Sequence, residues 1–252
     1  MGSDYMKRYA KLWVLVLLSV PGLPGCSPAG WNDPYLILQK YYNAIGGIRR
    51  VKAEKTRYYE GTITIVNPGY EGTIKIWEKL PCLSRSEVDF GEVSNIEAQN
   101  AVMNWNEDWS GRIHIADDSL TLGRKRIDQL LNTCDHANRR SKNFRLSYAG
   151  TDSLGSDLCR VIRILNTQNS DTTYQYFSVD NDYLVKQVRK QDEEINILFA
   201  DFREYDGIIR SFHWVIEYPA YDQQQIIEIH KIETNLDIPD SIFQAPELAD
   251  YK

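Results

Sequence analysis

The feature that most constrains the fold is an alternation of apolar and polar residues with a period of two. It is clearest at 59–65, where tyrosine, glycine and isoleucine at odd positions alternate with glutamate and threonine at even positions. Asn67-Pro68-Gly69 follows as a turn, and the alternation resumes through 72–77. The two segments therefore predict a β-hairpin with one apolar face and one solvated face.

Nine further segments carry strand-like patterns, and turn residues such as Asp206-Gly207 separate several of them. They are 83–90, 101–105, 144–148, 158–165, 174–179, 184–189, 195–202, 212–218 and 226–232. With the hairpin, the sequence predicts about eleven strands. Because the turns recur at intervals near ten residues, the strands are expected to form an antiparallel meander.

Two or three helices are predicted beside these strands. Asp33 followed by Pro34 is typical of a helix N-cap with proline at the first helical position. Apolar residues then recur at helical spacing until Gly46-Gly47, a short turn follows at 48–51, and 120–138 has one apolar face. The predicted fold class is mainly β (α+β), a large antiparallel sheet with helices covering its concave face. The pattern allows either a ligand-sized cavity under the helices or a tightly filled core.

The N-terminal segment has the features of an export signal. A basic stretch at 6–11 precedes an apolar run at 12–18, which is far shorter than the roughly 20 residues of a membrane-spanning helix. The segment ends in Leu23-Pro24-Gly25-Cys26, which resembles the lipobox of bacterial lipoproteins. That resemblance implies cleavage before Cys26 and acylation of its thiol, so the chain would be lipid-anchored. A plain signal peptide and a buried N-terminal helix are the alternatives.

The predicted organisation follows from this segment. Residues 1–25 form a lipoprotein signal peptide, 26–33 form the lipidated cysteine and a tether, and 34–252 form one domain. Ser27 rather than aspartate follows Cys26, which favours the outer membrane over the inner membrane of the cell envelope.

The charge balance excludes one class of partner. The chain has 29 Lys and Arg against 35 Asp and Glu, a net charge of -6. Nucleic-acid binding requires a basic surface that displaces counterions, so no nucleic-acid partner is predicted.

Motifs for chemistry are sparse. The nucleotide-binding glycine motifs and the G-x-S-x-G nucleophile motif are absent, and the nearest metal-like pair is Cys134-x-His136, a weak signal. Neighbouring carboxylates at 107–108, 117–118 and 192–194 are expected to be solvated turn residues. We therefore predict no enzymatic activity, no catalytic residue, no cofactor and no metal site.

Three short motifs occur in order along the chain. Residues 42–53 contain Gly46-Gly47, residues 201–208 contain Asp206-Gly207, and residues 232–243 end in a proline-aspartate turn and Phe243. Together they resemble a bacterial family of outer-membrane lipoprotein-sorting proteins, over roughly 35–247. The resemblance implies a LolA-like open half-barrel whose concave apolar surface shields a lipid or an acyl chain.

The predicted function is that of a membrane-anchored lipoprotein that binds a lipid, or the acyl chains of a lipoprotein, during envelope trafficking. Because an anchored protein cannot shuttle between membranes, a receiving or retaining role on the periplasmic side fits better than a carrier role. The alternative is an envelope-stress sensor or scaffold that binds a protein partner through the same fold. The candidate ligand-binding residues are Ile63, Ile65, Ile74, Ile76 and Trp77.

Overall fold

The computed structural model describes residues 31–100, 102–116, 121–123 and 130–246. The predicted signal peptide, Cys26 and the start of the tether lie outside the described residues. Within the described part of the chain, no helix combines the length and the apolar character that a membrane crossing requires.

The first helix begins and ends where the sequence predicts. Helix α1 spans Pro34–Ala44, and the carboxylate of Asp33 caps it by accepting a hydrogen bond from the Tyr35 backbone N–H at 2.9 Å. Helix α2 follows at Ile48–Ala53. Of the segment predicted to be helical at 120–138, residues 121–123 and 130–132 are helical, and a 3₁₀ turn spans Asp135–Ala137.

The described residues form thirteen strands in one antiparallel sheet, two more than the sequence predicts. The bounds are β1 Thr56–Ile65, β2 Tyr70–Lys79, β3 Leu83–Asp89, β4 Ser94–Gln99, β5 Asn104–Glu107, β6 Ile113–Ala116, β7 Phe144–Leu154, β8 Asp157–Asn166, β9 Thr172–Ser178, β10 Leu184–Lys190, β11 Glu194–Tyr205, β12 Ile208–Tyr218 and β13 Gln223–Thr234.

The extra strands are β4 and β6, which lie near one edge of the sheet. The strand predicted at 101–105 begins only at Asn104, as β5, and β4 precedes it. Polar residues occupy most of β4, so the apolar alternation that marks the central strands is absent there. Pairing with β3 and β5 holds β4 in the sheet instead.

The sheet is open. Its order runs β6-β5-β4-β3-β2-β1-β13-β12-β11-β10-β9-β8-β7, so the first and last strands of the chain pair in the middle and β6 and β7 form the two edges. The mainly β, antiparallel and unclosed architecture confirms the predicted fold class.

The end of α1 is docked on the β11–β12 turn. The Ile209 backbone N–H donates to the Ile45 carbonyl at 2.9 Å. Gly46 has φ 111°, and a Cβ at this position would lie 2.1 Å from the Gly207 carbonyl oxygen. Only glycine fits such a close approach. Two of the sequence motifs, Gly46-Gly47 and Asp206-Gly207, thus meet in space.

Two clusters of buried apolar side chains lie against the sheet. In the first, Ile37 and Leu38 of α1 pack with residues of β7, β8 and β9, among them Phe144, Ile162 and Phe177. The second lies around the β1, β2, β12 and β13 strands and contains Ile63, Ile74, Phe212, Ile227, Ile229 and Ile232.

The third sequence motif, at residues 232–243, ends in a turn that packs against β3 and β5. A 3₁₀ turn at Asp240–Phe243 buries the Phe243 side chain completely. The Trp105 indole N–H donates to the Phe243 carbonyl at 3.2 Å, and the Arg85 guanidinium donates to the Ile242 carbonyl at 2.8 Å. Phe243 is therefore a core residue.

Candidate functional site

A cavity of about 420 Å³ lies between the helices and one face of the sheet, which we call the inner face. Helices α1 and α2 and residues 131–136 line it on one side, and strands β1, β2, β9, β10, β11 and β12 line it on the other. Its volume lies within the range of roughly 300–1,000 Å³ that is typical of small-molecule sites.

Aromatic side chains supply much of the cavity wall. Tyr41, Tyr59 and Trp214 line it, and the rings of Tyr59 and Trp214 meet edge to face with centroids 5.6 Å apart. Phe199 and Phe202 extend the wall along β11. Such rings present large apolar areas at little cost in conformational entropy, so this wall suits an apolar ligand.

A buried ionic network forms the polar part of the site. The Arg57 guanidinium donates to Glu54 at 2.9 Å and to Glu78 at 3.2 Å. Arg210 donates to the other carboxylate oxygen of Glu54. Arg57 and Glu78 are register partners on β1 and β2, so the sheet itself brings them together. Buried charges require such pairing, because an isolated ion in this environment is strongly disfavoured.

Several titratable groups of the cavity, outside the ionic network, are held in their neutral forms. Burial raises the pKa of Tyr41 to about 12 and raises the pKa of Tyr59 further. Burial also raises the pKa of the Cys134 thiol and lowers the pKa of His136 to about 4. At neutral pH these groups are uncharged hydrogen-bonding groups, none of them activated as a nucleophile.

The weak Cys134-x-His136 signal does not develop into a metal site in this part of the chain. Among the described residues, no group of three or more His, Cys, Asp or Glu side chains could hold a metal ion.

The chain resembles known proteins in its structure rather than in its sequence. No protein-family model matches the chain, and no curated protein matches it. A LolA superfamily protein from Nitrosomonas europaea is 13% identical with a TM-score of 0.55, over 83% of this chain and 96% of that one. The chain has the LolA-like fold.

Two further solved structures agree with this assignment. An outer membrane lipoprotein-sorting protein domain from Vibrio parahaemolyticus is 8% identical with a TM-score of 0.52, over 83% of this chain and 95% of that one. A DUF1329 family protein from Desulfovibrio piger is 14% identical with a TM-score of 0.53, over 81% and 95%. None of the three is named for an enzymatic activity. The likeness confirms the LolA-like half-barrel that the sequence motifs predict.

The LolA-like sheet separates the five candidate ligand-binding residues. Ile76 lines the cavity, whereas Ile63 and Ile74 are buried in the neighbouring core cluster. Ile65 is buried at the end of β1. Trp77 follows Ile76 on β2, so it lies on the opposite face, where its ring packs on a β1 tyrosine. Ligand contact stays a prediction that the structure does not test, and of the five positions only Ile76 lines the cavity.

The polar cavity residues were not predicted from the sequence. Arg57 precedes Tyr59 by two positions, so it occupies the same face of β1. This spacing of two is the sequence signal that could have identified Arg57 as a residue of the cavity face. Arg210, His136 and Gln175 come from distant parts of the chain, and only the folded LolA-like sheet brings them to one cavity.

Proposed function

We propose that the chain is a membrane-anchored bacterial lipoprotein that binds a lipid, or the acyl chains of a lipoprotein, in the cavity of its LolA-like fold. The observation that carries the proposal is the cavity of about 420 Å³ with its aromatic wall. Moving an acyl chain from water onto such a wall is favourable by about 25 cal/mol per Å² of apolar surface removed from water.

The proposed role is to receive or retain the ligand at a membrane. Acylation of Cys26 would hold the chain in the cell envelope, facing the periplasm, with the outer membrane favoured. The Vibrio parahaemolyticus domain that shares the fold is named for lipoprotein sorting, which supports an envelope function. The proposed function is binding and involves no enzymatic step.

Native mass spectrometry tests the proposal. Residues 26–252 carrying Cys26→Ser are expressed behind an export signal that is cleaved in a bacterial periplasm, and they are purified without detergent. Neither an acyl group on Cys26 nor the apolar run at 12–18 can then fill the cavity. The expected result is a bound species of lipid mass that is lost on denaturation. A ligand-free mass, with no uptake of added phospholipid or acylated peptide, contradicts lipid binding.

Two substitutions at neighbouring positions of β2 localise the binding. Ile76→Trp places an indole in the cavity and is expected to reduce the amount of retained lipid. Trp77→Phe changes the opposite face and serves as the matched control, which should retain lipid as the parent does. Equal retention by both variants would place the lipid outside the cavity.

A second candidate function is supported by an exposed aromatic cluster. Tyr70, Phe90 and Trp109 lie side by side, with ring centroids 6.0 Å and 5.5 Å apart. Tyr70 is 59% exposed and Trp109 is 48% exposed. Exposed aromatic groups often anchor protein interfaces, which favours a sensor or scaffold that binds a protein partner. Tyr70→Ser with Trp109→Ser should abolish capture of that partner and leave lipid retention unchanged.

A further inference from the structure

Three side chains of the cavity leave a buried polar atom without a hydrogen bond. Among the described residues, Nδ1 of His136 and Nε of Arg210 have no partner, and one end of the Gln175 amide has none while its other end faces Gln187 at 3.2 Å. His136 is 4% exposed and Gln175 is 6% exposed. All three line the same cavity.

Such atoms destabilise a protein when they stay unsatisfied. Each buried donor or acceptor without a partner costs about 1–3 kcal/mol, and most buried polar groups in folded proteins have one. Three of them around one cavity leave hydrogen-bonding atoms available to the polar part of a ligand.

The chemistry of Arg210 specifies the polar group of that ligand. A guanidinium Nε–H donates and never accepts, so its partner must present an acceptor atom. Its Nη2 already donates to Glu54, which also pairs with Arg57. Because Arg210 shares this carboxylate with a second guanidinium, an acidic oxygen beside its Nε would also stabilise its charge. Carboxylate and phosphate oxygens meet a guanidinium in this way.

The volume of the cavity limits the size of the apolar part of the ligand. About 420 Å³ lies in the lower part of the range for sites that hold one small molecule. One acyl chain fits that space better than the several chains of an acylated lipoprotein.

We infer that the ligand is a single-chain amphiphile whose carboxylate or phosphate head group accepts a hydrogen bond from Arg210 and contacts His136 and Gln175, with its acyl chain along the aromatic wall. The inference rests on the proposed lipid-binding function and narrows it to one chemical class.

Binding of three probes with comparable chains tests this inference. Hexadecanoic acid and palmitoyl lysophosphatidic acid carry acidic oxygens, and hexadecyltrimethylammonium carries no acceptor. Affinities are measured by the change in tryptophan fluorescence of residues 26–252 carrying Cys26→Ser, below the micelle concentration of each probe. Since the chain has a net charge of -6, general attraction favours the cation, and a preference for the acids must come from the cavity.

The expected result is that at least one acid binds roughly tenfold or more tightly than the cation, the increment of one charge-assisted hydrogen bond. Whichever acid binds more tightly identifies carboxylate or phosphate. Equal binding of acids and cation leaves lipid binding intact and overturns the head-group assignment. Absence of binding by the three probes and also by dipalmitoylphosphatidic acid overturns the proposed function as well. Tighter binding of dipalmitoylphosphatidic acid, which has two chains, contradicts the single-chain assignment.

Substitutions of the unpartnered groups give a second readout. His136→Phe and Gln175→Met remove polar atoms and should lower affinity for the preferred acid several-fold more than affinity for the cation. Arg210→Lys keeps the charge near Glu54 and removes the Nε–H, with the same expected loss. Ile216→Val trims the apolar wall as a control and should weaken acid and cation binding equally. Unchanged selectivity in all three polar variants overturns the inference.

Discussion

Substitution of His136 by phenylalanine should remove a pH-dependent loss of stability. Burial lowers the pKa of this imidazole from its ordinary 6.5 to about 4. The negative charge of Asp135 opposes this shift, and the positive charge of Lys52 adds to it. Between these two pKa values the unfolded chain binds a proton that the folded chain does not, so the free energy of unfolding decreases as the pH falls through that window. For one such group the loss between pH 8 and pH 5 is roughly 2 kcal/mol, since one pKa unit corresponds to about 1.4 kcal/mol.

Urea denaturation at a series of pH values measures this effect. The difference in unfolding free energy between His136→Phe and the parent should grow by roughly 2 kcal/mol in favour of the variant as the pH falls from 8 to 5. His230→Phe, which removes an exposed imidazole of β13, is the control and should follow the parent. If the two variants change alike, or the difference for His136→Phe is independent of pH, the assigned burial of His136 in the cavity wall is refuted.

Three further substitutions test the fold that holds the cavity. Gly46→Ala brings a Cβ within 2.1 Å of a backbone oxygen in the β11–β12 turn, and should lower stability by about 2 kcal/mol or more, seen as a lower melting temperature. Phe243→Ala empties a fully buried position and should cost about 3–5 kcal/mol in urea denaturation, whereas a cost below about 1 kcal/mol would contradict its packing role. Glu54→Gln removes the carboxylate partner of Arg210 and one of the two carboxylate partners of Arg57. We therefore expect the free energy of unfolding to fall by about 3–5 kcal/mol in the same urea denaturation assay. A stable Glu54→Gln variant would contradict the network.

The parts of the fold that follow from local chemistry were predictable. Asp33-Pro34 starts a helix because a carboxylate caps the free N–H groups and proline has no N–H to lose. Asp206-Gly207 makes a hairpin turn because both residues accept a positive φ, which the structure shows at 51° and 71°. The central strands were found because one of their faces is apolar.

The strands near the β6 edge of the sheet could not all be recognised from apolar alternation. Strand β4 is mostly polar and β6 has only four residues, so neither carries a long apolar alternation. Their place depends on backbone pairing with neighbours that the sequence does not identify. The number of strands was therefore predicted too low, although their antiparallel arrangement was predicted correctly.

The candidate site was predictable only in part. Alternation grouped Ile76 with the other apolar positions of its face, but it did not separate cavity wall from filled core. The same alternation places Trp77 on the opposite face of β2 from Ile76, so the choice of both as ligand-binding residues did not follow from the pattern. The polar groups were missed for a physical reason. Whether Arg57 and Arg210 are buried depends on Glu54, which pairs with both and lies 156 residues from Arg210 in the chain. Such pairing leaves no local pattern.

Occupancy of the LolA-like cavity by a lipid can be tested by photo-crosslinking. Residues 26–252 carrying Cys26→Ser are irradiated with a hexadecanoic acid that bears a diazirine near the end of its chain, and the products are mapped by residue-level mass spectrometry. A lipid in the cavity should give crosslinks at cavity residues such as Ile76, Phe199 and Trp214, which unlabelled hexadecanoic acid competes away. Crosslinks confined to the exposed cluster around Tyr70 and Trp109, with none in the cavity, would contradict it.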